Sequence, residues 1–225
     1  GASAEVQPFL SKSHVSQLMQ SFSPQRASPP EQVADKNRVM SETDAEIGFA
    51  VIDSDGLSVA CSLTMYHPFG TGRTTPNLGV LLAAAPGANG RNALPLGPVV
   101  VTRASDNATR FAFTGSGGST SATAMANVMI ETLLAREELH LAVANARLHF
   151  SRERGEVVIE DRVDKERLVS LIGLGHKVRR LPSIGLVNAI SCPAGLPTRE
   201  AACEVVADPR GEGAAVKVNL VKEIR

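Results

Sequence analysis

The sequence lacks tryptophan and has one tyrosine, Tyr66, among 225 residues. That leaves too few aromatic faces for the stacking platforms that hold single strands or sugars. An excess of either charge is also missing: 23 Lys+Arg balance 23 Asp+Glu, for a formal net charge of +0. A general nucleic-acid binder needs a basic surface, so that class is excluded. No apolar run approaches the roughly 20 residues of a membrane span, and no basic-then-apolar leader opens the sequence. Cysteine is scarce and unclustered. Cys61, Cys192 and Cys203 form no CxxC and no Cys/His group, which argues against a closed zinc site. Cys61 lies in an apolar strand pattern and reads as a small buried hydrophobe. Cys192 and Cys203 could pair if the chain is exported, so the redox compartment stays open.

What is present is ordinary globular composition, 43% hydrophobic and 20% charged. That is enough chain for one full-sized domain, or a small one with an extension. Residues 1–45 differ from the rest. Val15, Leu18, Met19 and Phe22 recur at helical spacing after a cap at Ser13, and a Pro/Ser/Gln stretch and a polar run follow to Asp44. This predicts a docked helix plus a linker, with the main domain over 46–225.

From Ile47 the pattern becomes sheet-like. Ile47–Asp53 and Leu57–Thr64 flank Ser54-Asp55-Gly56, a hairpin signal. Leu78–Ala84 reads as a further buried segment, and Pro98–Arg103 with Arg110–Thr114 as a second hairpin. Gly115–Ser119 leads into an apolar helix over Thr120–Leu134, expected to be buried between layers. A helix over Leu141–Leu148, a strand at Glu156–Glu160 and a helix at Lys165–Leu174 follow. Strands are then expected at His176–Leu181, Gly185–Ile190, Ala202–Ala207 and Ala214–Asn219. Hairpins, then helices, then more strands predict an α+β or layered sandwich without alternating βαβ units.

The most informative local feature is Phe113-Thr114-Gly115-Ser116-Gly117-Gly118-Ser119. Glycines between a strand and a helix let main-chain N–H groups approach a phosphate, a carboxylate or a developing oxyanion. No Gly-Lys-Ser/Thr follows, so this is not a Walker A loop, and Thr120 spoils a dinucleotide fingerprint. The plain alternative is tight helix–sheet packing with no ligand. A nucleophile elbow at Ser116 would need Gly two residues earlier, where Thr114 stands. His67 lies in the loop Tyr66–Gly72, a good place for function on general grounds. His149 reads as a cation at a helix end, Lys177, Arg179 and Arg180 as a solvated face, and Asp53 with Asp55 as turn residues.

Taken together, these pieces resemble the small subunit of the γ-glutamyltransferases (γ-glutamyltranspeptidases), members of the N-terminal-nucleophile hydrolase group. The resemblance rests on an ordered set over roughly Ile47 to Gly213. It comprises Phe49-Ala50-Val51-Ile52-Asp53-Ser54-Asp55-Gly56, Phe69-Gly70-Thr71-Gly72, Gly79-Val80-Leu81-Leu82 and the Thr114–Ser119 loop. Further on come Asn145-Ala146-Arg147-Leu148-His149, Gly175-His176-Lys177-Val178 and Asp208-Pro209-Arg210.

The resemblance implies a four-layer αββα sandwich, two sheets face to face with helices outside. It also implies a small subunit that begins, after self-cleavage, with a nucleophilic Thr whose free amine serves as base. Gly117 and Gly118, with Ser116 beside them, match the loop that holds the oxyanion and the glutamyl group. Thr64 matches a Thr that supports the nucleophile, and Tyr66 replaces the family's Asn after it. Counting back from Asp53 puts Glu46 where the nucleophilic Thr belongs, and a carboxylate cannot play an autocleaving Thr. The family's Asn-Asn and acidic residues that grip the substrate's amine are replaced by Ala83-Ala84-Ala85-Pro86-Gly87, and its Ser-Ser pair is missing before Pro98.

The expectation is therefore a degenerate member acting as a structural or ligand-binding subunit. The alternative is an active γ-glutamyl or amide hydrolase or transferase with its nucleophile relocated to Thr43. No cofactor or metal is implied. The expected partners are a large-subunit-like chain or a second copy, with a small γ-glutamyl or carboxylate ligand. The family's habit points to the periplasm or cell surface.

Overall fold

The first hairpin forms as the alternation predicts. The computed structural model describes residues 10–28, 46–84, 97–152, 154–198 and 202–218. Strands β1 (Glu46–Ile52) and β2 (Ser58–Thr64) pair antiparallel from Glu46↔Thr64 to Ile52↔Ser58. Asp53 Oδ1 accepts from the Asp55 and Leu57 N–H groups, so this Asp closes the turn, as its place beside Gly56 indicated.

A four-stranded antiparallel sheet lies under this ribbon. It is built from β3 (Val99–Thr102), β4 (Thr109–Ser116), β8 (Leu186–Leu196) and β9 (Glu204–Val206), in the order β3-β4-β8-β9. Side chains alternate between the two faces of a strand, and β4 uses both. Phe111 and Phe113 turn towards helix α2 (Ser121–Met129) and pack with its Ala124, Met125 and Val128, while Thr114 turns towards the ribbon. Gly48 of β1 lies so close that a Cβ there would meet Thr114 Oγ1 at 2.8 Å. Asn188 Nδ2 donates to Gly48 O and Ser62 Oγ to Gly115 O, which stitches the two sheets together.

The helix layer begins as a 3₁₀ turn (Gly118–Thr120), continues as α2, and ends in a π-helical turn (Ile130–Leu134). Only one face is buried, because Ala122, Ala126 and Ile130 are exposed. The expectation of a helix buried all round gives way to one buried face. Helix α3 (Leu139–Ala144) is shorter than predicted, and β5 (Leu148–Ser151) follows at once. His149 therefore lies in a strand, where it meets Thr123 Oγ1 at 3.1 Å, and not at a helix end.

Strand β5 pairs with β6 (Glu156–Glu160), and helix α4 (Lys165–Gly173), capped by Asp164, leads into β7 (Val178–Leu181). Strand β7 lies parallel to β6, so one βαβ crossover exists where none was expected. Arg179 on β7 pairs with Glu156 and is not a merely solvated residue.

Three further corrections concern exposed segments. Leu78–Ala84 is not a buried strand. Leu78 is 78% exposed, and the segment has only a single bridge, Thr74↔Leu81. Residues 214–218 form no strand. Helix α1 (Lys12–Met19) is capped by Ser11 and not Ser13, and its Val15, Leu18 and Met19 are exposed. Cys192 and Cys203 form a disulfide, and Cys61 is free and half-buried.

Candidate functional site

Strand β4 runs straight into the glycine-rich loop, and backbone geometry decides what that loop presents. Gly117 has φ +116° and Gly118 φ +59°, conformations that side chains resist. A Cβ on Gly117 would also meet Gly185 Cα at 2.8 Å. Thr120 Oγ1 ties the loop by donating to Gly117 O at 2.7 Å. The result is two neighbouring main-chain N–H groups turned to one point. The occupant is Glu46, from the first position of β1. Its Oε2 accepts from Gly117 N at 2.9 Å and Gly118 N at 2.8 Å. Two amides on one carboxylate oxygen make a charge-assisted pair. The other oxygen, Oε1, is buried and makes no hydrogen bond.

The remaining sequence-derived candidates gather around this contact. Thr64 is the register partner of Glu46, and its Oγ1 accepts from Tyr66 N at 3.0 Å, with Tyr66 at φ +59°. Ser116 is buried at the end of β4. Beside them lies a cavity of about 300 Å³ whose walls include Glu46, Ser116, Thr120, Ser183, Leu186 and Arg210. Thr43 lies outside the described residues, as does most of the Ala83–Gly87 replacement.

A buried ionic cluster forms the support behind the loop. Arg147 is 1% exposed. Its Nη2 meets Asp208 Oδ2 at 2.7 Å, and its Nη1 donates to the carbonyls of Ile184 and Gly185 at 3.2 and 3.0 Å. Arg210 clasps Glu160 through Nε at 2.6 Å and Nη2 at 2.7 Å, and reaches Asp208 Oδ1 at 3.1 Å. Val187 N donates to Asp208, and Ile184 N to Glu160. These contacts fix the turn at Ile184–Gly185, and Gly185 is the residue packed against Gly117. The cluster therefore positions the amide pair.

Burial would raise the Glu160 carboxyl, but hydrogen bonds from Arg210, the Ile184 N–H and the Arg147 N–H outweigh it and hold it below the ordinary range. Burial lowers the Arg147 guanidinium from its usual value, against the pull of Asp208. Burial works the same way on Arg210, where Glu160 and Asp208 prevail and raise it. Sequence reasoning from residue types alone missed this cluster. Its signal was an Arg (Arg147) next to an apolar strand and an Asp-Pro-Arg near the end. Among the described residues no group of His, Cys, Asp or Glu could hold a metal ion, and no helix is long and apolar enough to cross a membrane.

Comparison with known proteins agrees with this architecture. The sequence profile named gamma-glutamyltranspeptidase matches residues 2–218. The glutathione hydrolase proenzyme of Bacillus subtilis (strain 168) is 29% identical over 187 residues, 78% of this chain but 31% of the relative. This chain thus spans about a third of that protein's length. Among solved structures, the gamma-glutamyltranspeptidase of Pseudomonas nitroreducens complexed with L-DON superposes with a TM-score of 0.62 at 23% identity, covering 76% of this chain and 99% of the other. The Bacillus anthracis transpeptidase enzyme CapD gives 0.60 at 22%, covering 77% and 99%. At these identities the likeness carries the fold, an α+β sandwich of the N-terminal-nucleophile hydrolase type. The described residues supply three of its layers: ribbon, sheet and helices.

Proposed function

Because the chain belongs to the gamma-glutamyltranspeptidase family, we propose that it keeps the family's fold, has lost the γ-glutamyl chemistry, and serves as a structural or ligand-binding subunit. The observation that carries this reading is the carboxylate of Glu46 on the N–H groups of Gly117 and Gly118. In the reading drawn from the family, that residue is the nucleophilic Thr and those amides receive the oxyanion. Here the first is a group that cannot attack as a hydroxyl does, and the second already hold a negative charge. An oxyanion hole stabilises a transition state only if its donors are free when charge develops. Thr64 then acts as a strand partner of Glu46 and not as support for a nucleophile.

The same reading takes 46–225 as the small-subunit-like domain and 1–45 as the tail of a large-subunit-like region. The outer face of the ribbon supports a partner chain. Ile47, Phe49, Val51, Val59 and Leu63 all point away from the sheet and are exposed, and no described helix covers them. Interfaces of that kind resemble a domain core cut in half. An oxidising compartment, periplasmic or extracellular, accords with the Cys192–Cys203 disulfide.

The test is turnover of a γ-glutamyl anilide by protein purified from its whole reading frame together with its partner. No amine release is expected. Release that disappears on Thr43→Ala would establish a relocated nucleophile instead.

A further inference from the structure

Glu46 reveals the chemistry of the site it fills. We propose that the Gly117–Gly118 amide pair is a carboxylate-binding site with Glu46 as its displaceable internal ligand, so that small free carboxylates compete with Glu46 for the two N–H groups. This rests on the reading that the site no longer performs chemistry, and it names the ligand class that such a site takes.

The pair of contacts at 2.9 and 2.8 Å falls on one oxygen only. The second oxygen, Oε1, is buried without a hydrogen bond. A buried polar atom left open carries its full desolvation penalty, larger when the group is charged. Glu46 therefore holds the amides with half of its carboxylate wasted. Its backbone is tied into β1 through the pairing with Thr64. A free carboxylate has no such tether.

Space for the rest of a ligand lies alongside. The cavity of about 300 Å³ shares Glu46, Ser116 and Gly117 with the site and brings Thr120 and Ser183 to its walls. The nearby cations do not complete it. Arg147 and Arg210 are already matched by Asp208 and Glu160, so attraction comes from the oriented amides.

Displacement is also cheap for the fold. Glu46 is the terminal residue of β1, paired only at the end of the ladder with Thr64. Turning its side chain outwards leaves every register pair from Ile47↔Leu63 onward in place. A tethered competitor acts at an effective concentration of roughly millimolar or more. The native chain should therefore bind an external carboxylate more weakly than one without the Glu46 carboxylate, by about the ratio of that effective concentration to the bare site's dissociation constant.

The experiment uses protein from the whole reading frame, labelled with ¹⁵N-glycine and titrated with acetate and with glutarate at constant ionic strength against chloride. In Glu46→Ala, the Gly117 and Gly118 amide resonances should move on binding, with an affinity measurably above that of the native chain. Glu46→Gln should fall between, since its carbonyl still caps the amides without charge. The proposal is overturned if Glu46→Ala and the native chain respond alike, if chloride shifts these resonances as well as acetate does, or if the shifts lie elsewhere. Should Glu46→Ala fail to fold, the near-isosteric Glu46→Gln decides, and acetate binding no tighter than native overturns it. Turnover of a γ-glutamyl anilide by the native chain would refute the functional reading separately, whatever the titration gives.

Discussion

Arg147 carries a full positive charge at 1% exposure, held by Asp208 and by the carbonyls of Val143, Ile184 and Gly185. Removing one partner of a buried pair strands the other, so Arg147→Met should cost about 3–5 kcal/mol. Thermal unfolding should register this as a large drop in Tm. Arg147→Lys should recover little of it, because an ammonium cannot reproduce the planar fork that reaches several acceptors at once. Glu160 makes a pH prediction. Its carboxyl is held below the ordinary carboxylate range in the folded chain, so the folded state binds fewer protons there than the unfolded state does. Its contribution is complete above about pH 4.5 and is lost as pH falls through the lower folded value. Glu160→Gln should therefore show a weaker loss of stability between pH 5 and pH 3, roughly, than the native chain in acid titration of the fold. At this scale the sequence was partly legible. Counting back from Asp53 led to Glu46 as the position to compare with the family's nucleophile. The carboxylate's contact with amides 71 and 72 residues away lay beyond any local pattern.

Among the elements, β9 is the most exposed to perturbation. It has three residues and pairs only with β8, through Ala189↔Val206, Ile190↔Val205 and Ser191↔Glu204. The Cys192–Cys203 bridge closes its entry, and Asp208 and Arg210 follow its exit. Reducing the bridge should destabilise the fold by about 2–4 kcal/mol, seen as a lower denaturation midpoint in dithiothreitol. Cys203→Ser should lower the midpoint similarly and make it insensitive to reductant. The first hairpin was legible because alternation and a turn signal agreed. Strand β5 was not, since Leu148-His149-Phe150-Ser151 is too short to display a period and sits directly after a helix. Ala214–Val218 alternates as a strand should, but alternation marks a face and cannot supply the neighbour a strand needs. The βαβ crossover was missed because α4 and β7 are brief and polar, whereas parallel strands usually announce themselves by continuous apolar runs.

On the scale of the whole molecule, the ribbon's outer face is the feature that sequence could not reveal. Ile47, at 61% exposure, and Leu63, at 51%, are strand residues of the kind that normally end in a core. If a partner chain covers them, Val51→Lys should leave the chain's own stability within about 0.5 kcal/mol and abolish co-purification of the partner from the native source. Retained co-purification would move the interface elsewhere. The fold class was legible from the ordered motifs, because several of them mark a turn or buried contact of the fold: the Asp53 turn, the glycine-rich loop, Arg147 and Asp208 with Arg210.

Activity turns on one position, because the proposed loss of chemistry requires Glu46 to stand where the family has a self-cleaving Thr. The direct measurement is intact mass with N-terminal sequencing of protein made from the whole natural reading frame. No cut is predicted in the segment from Ser41 to Glu46. A chain beginning at Thr43, at Ser41 or at Glu46 itself would contradict it, because self-cleavage would then have survived the loss of the expected nucleophile.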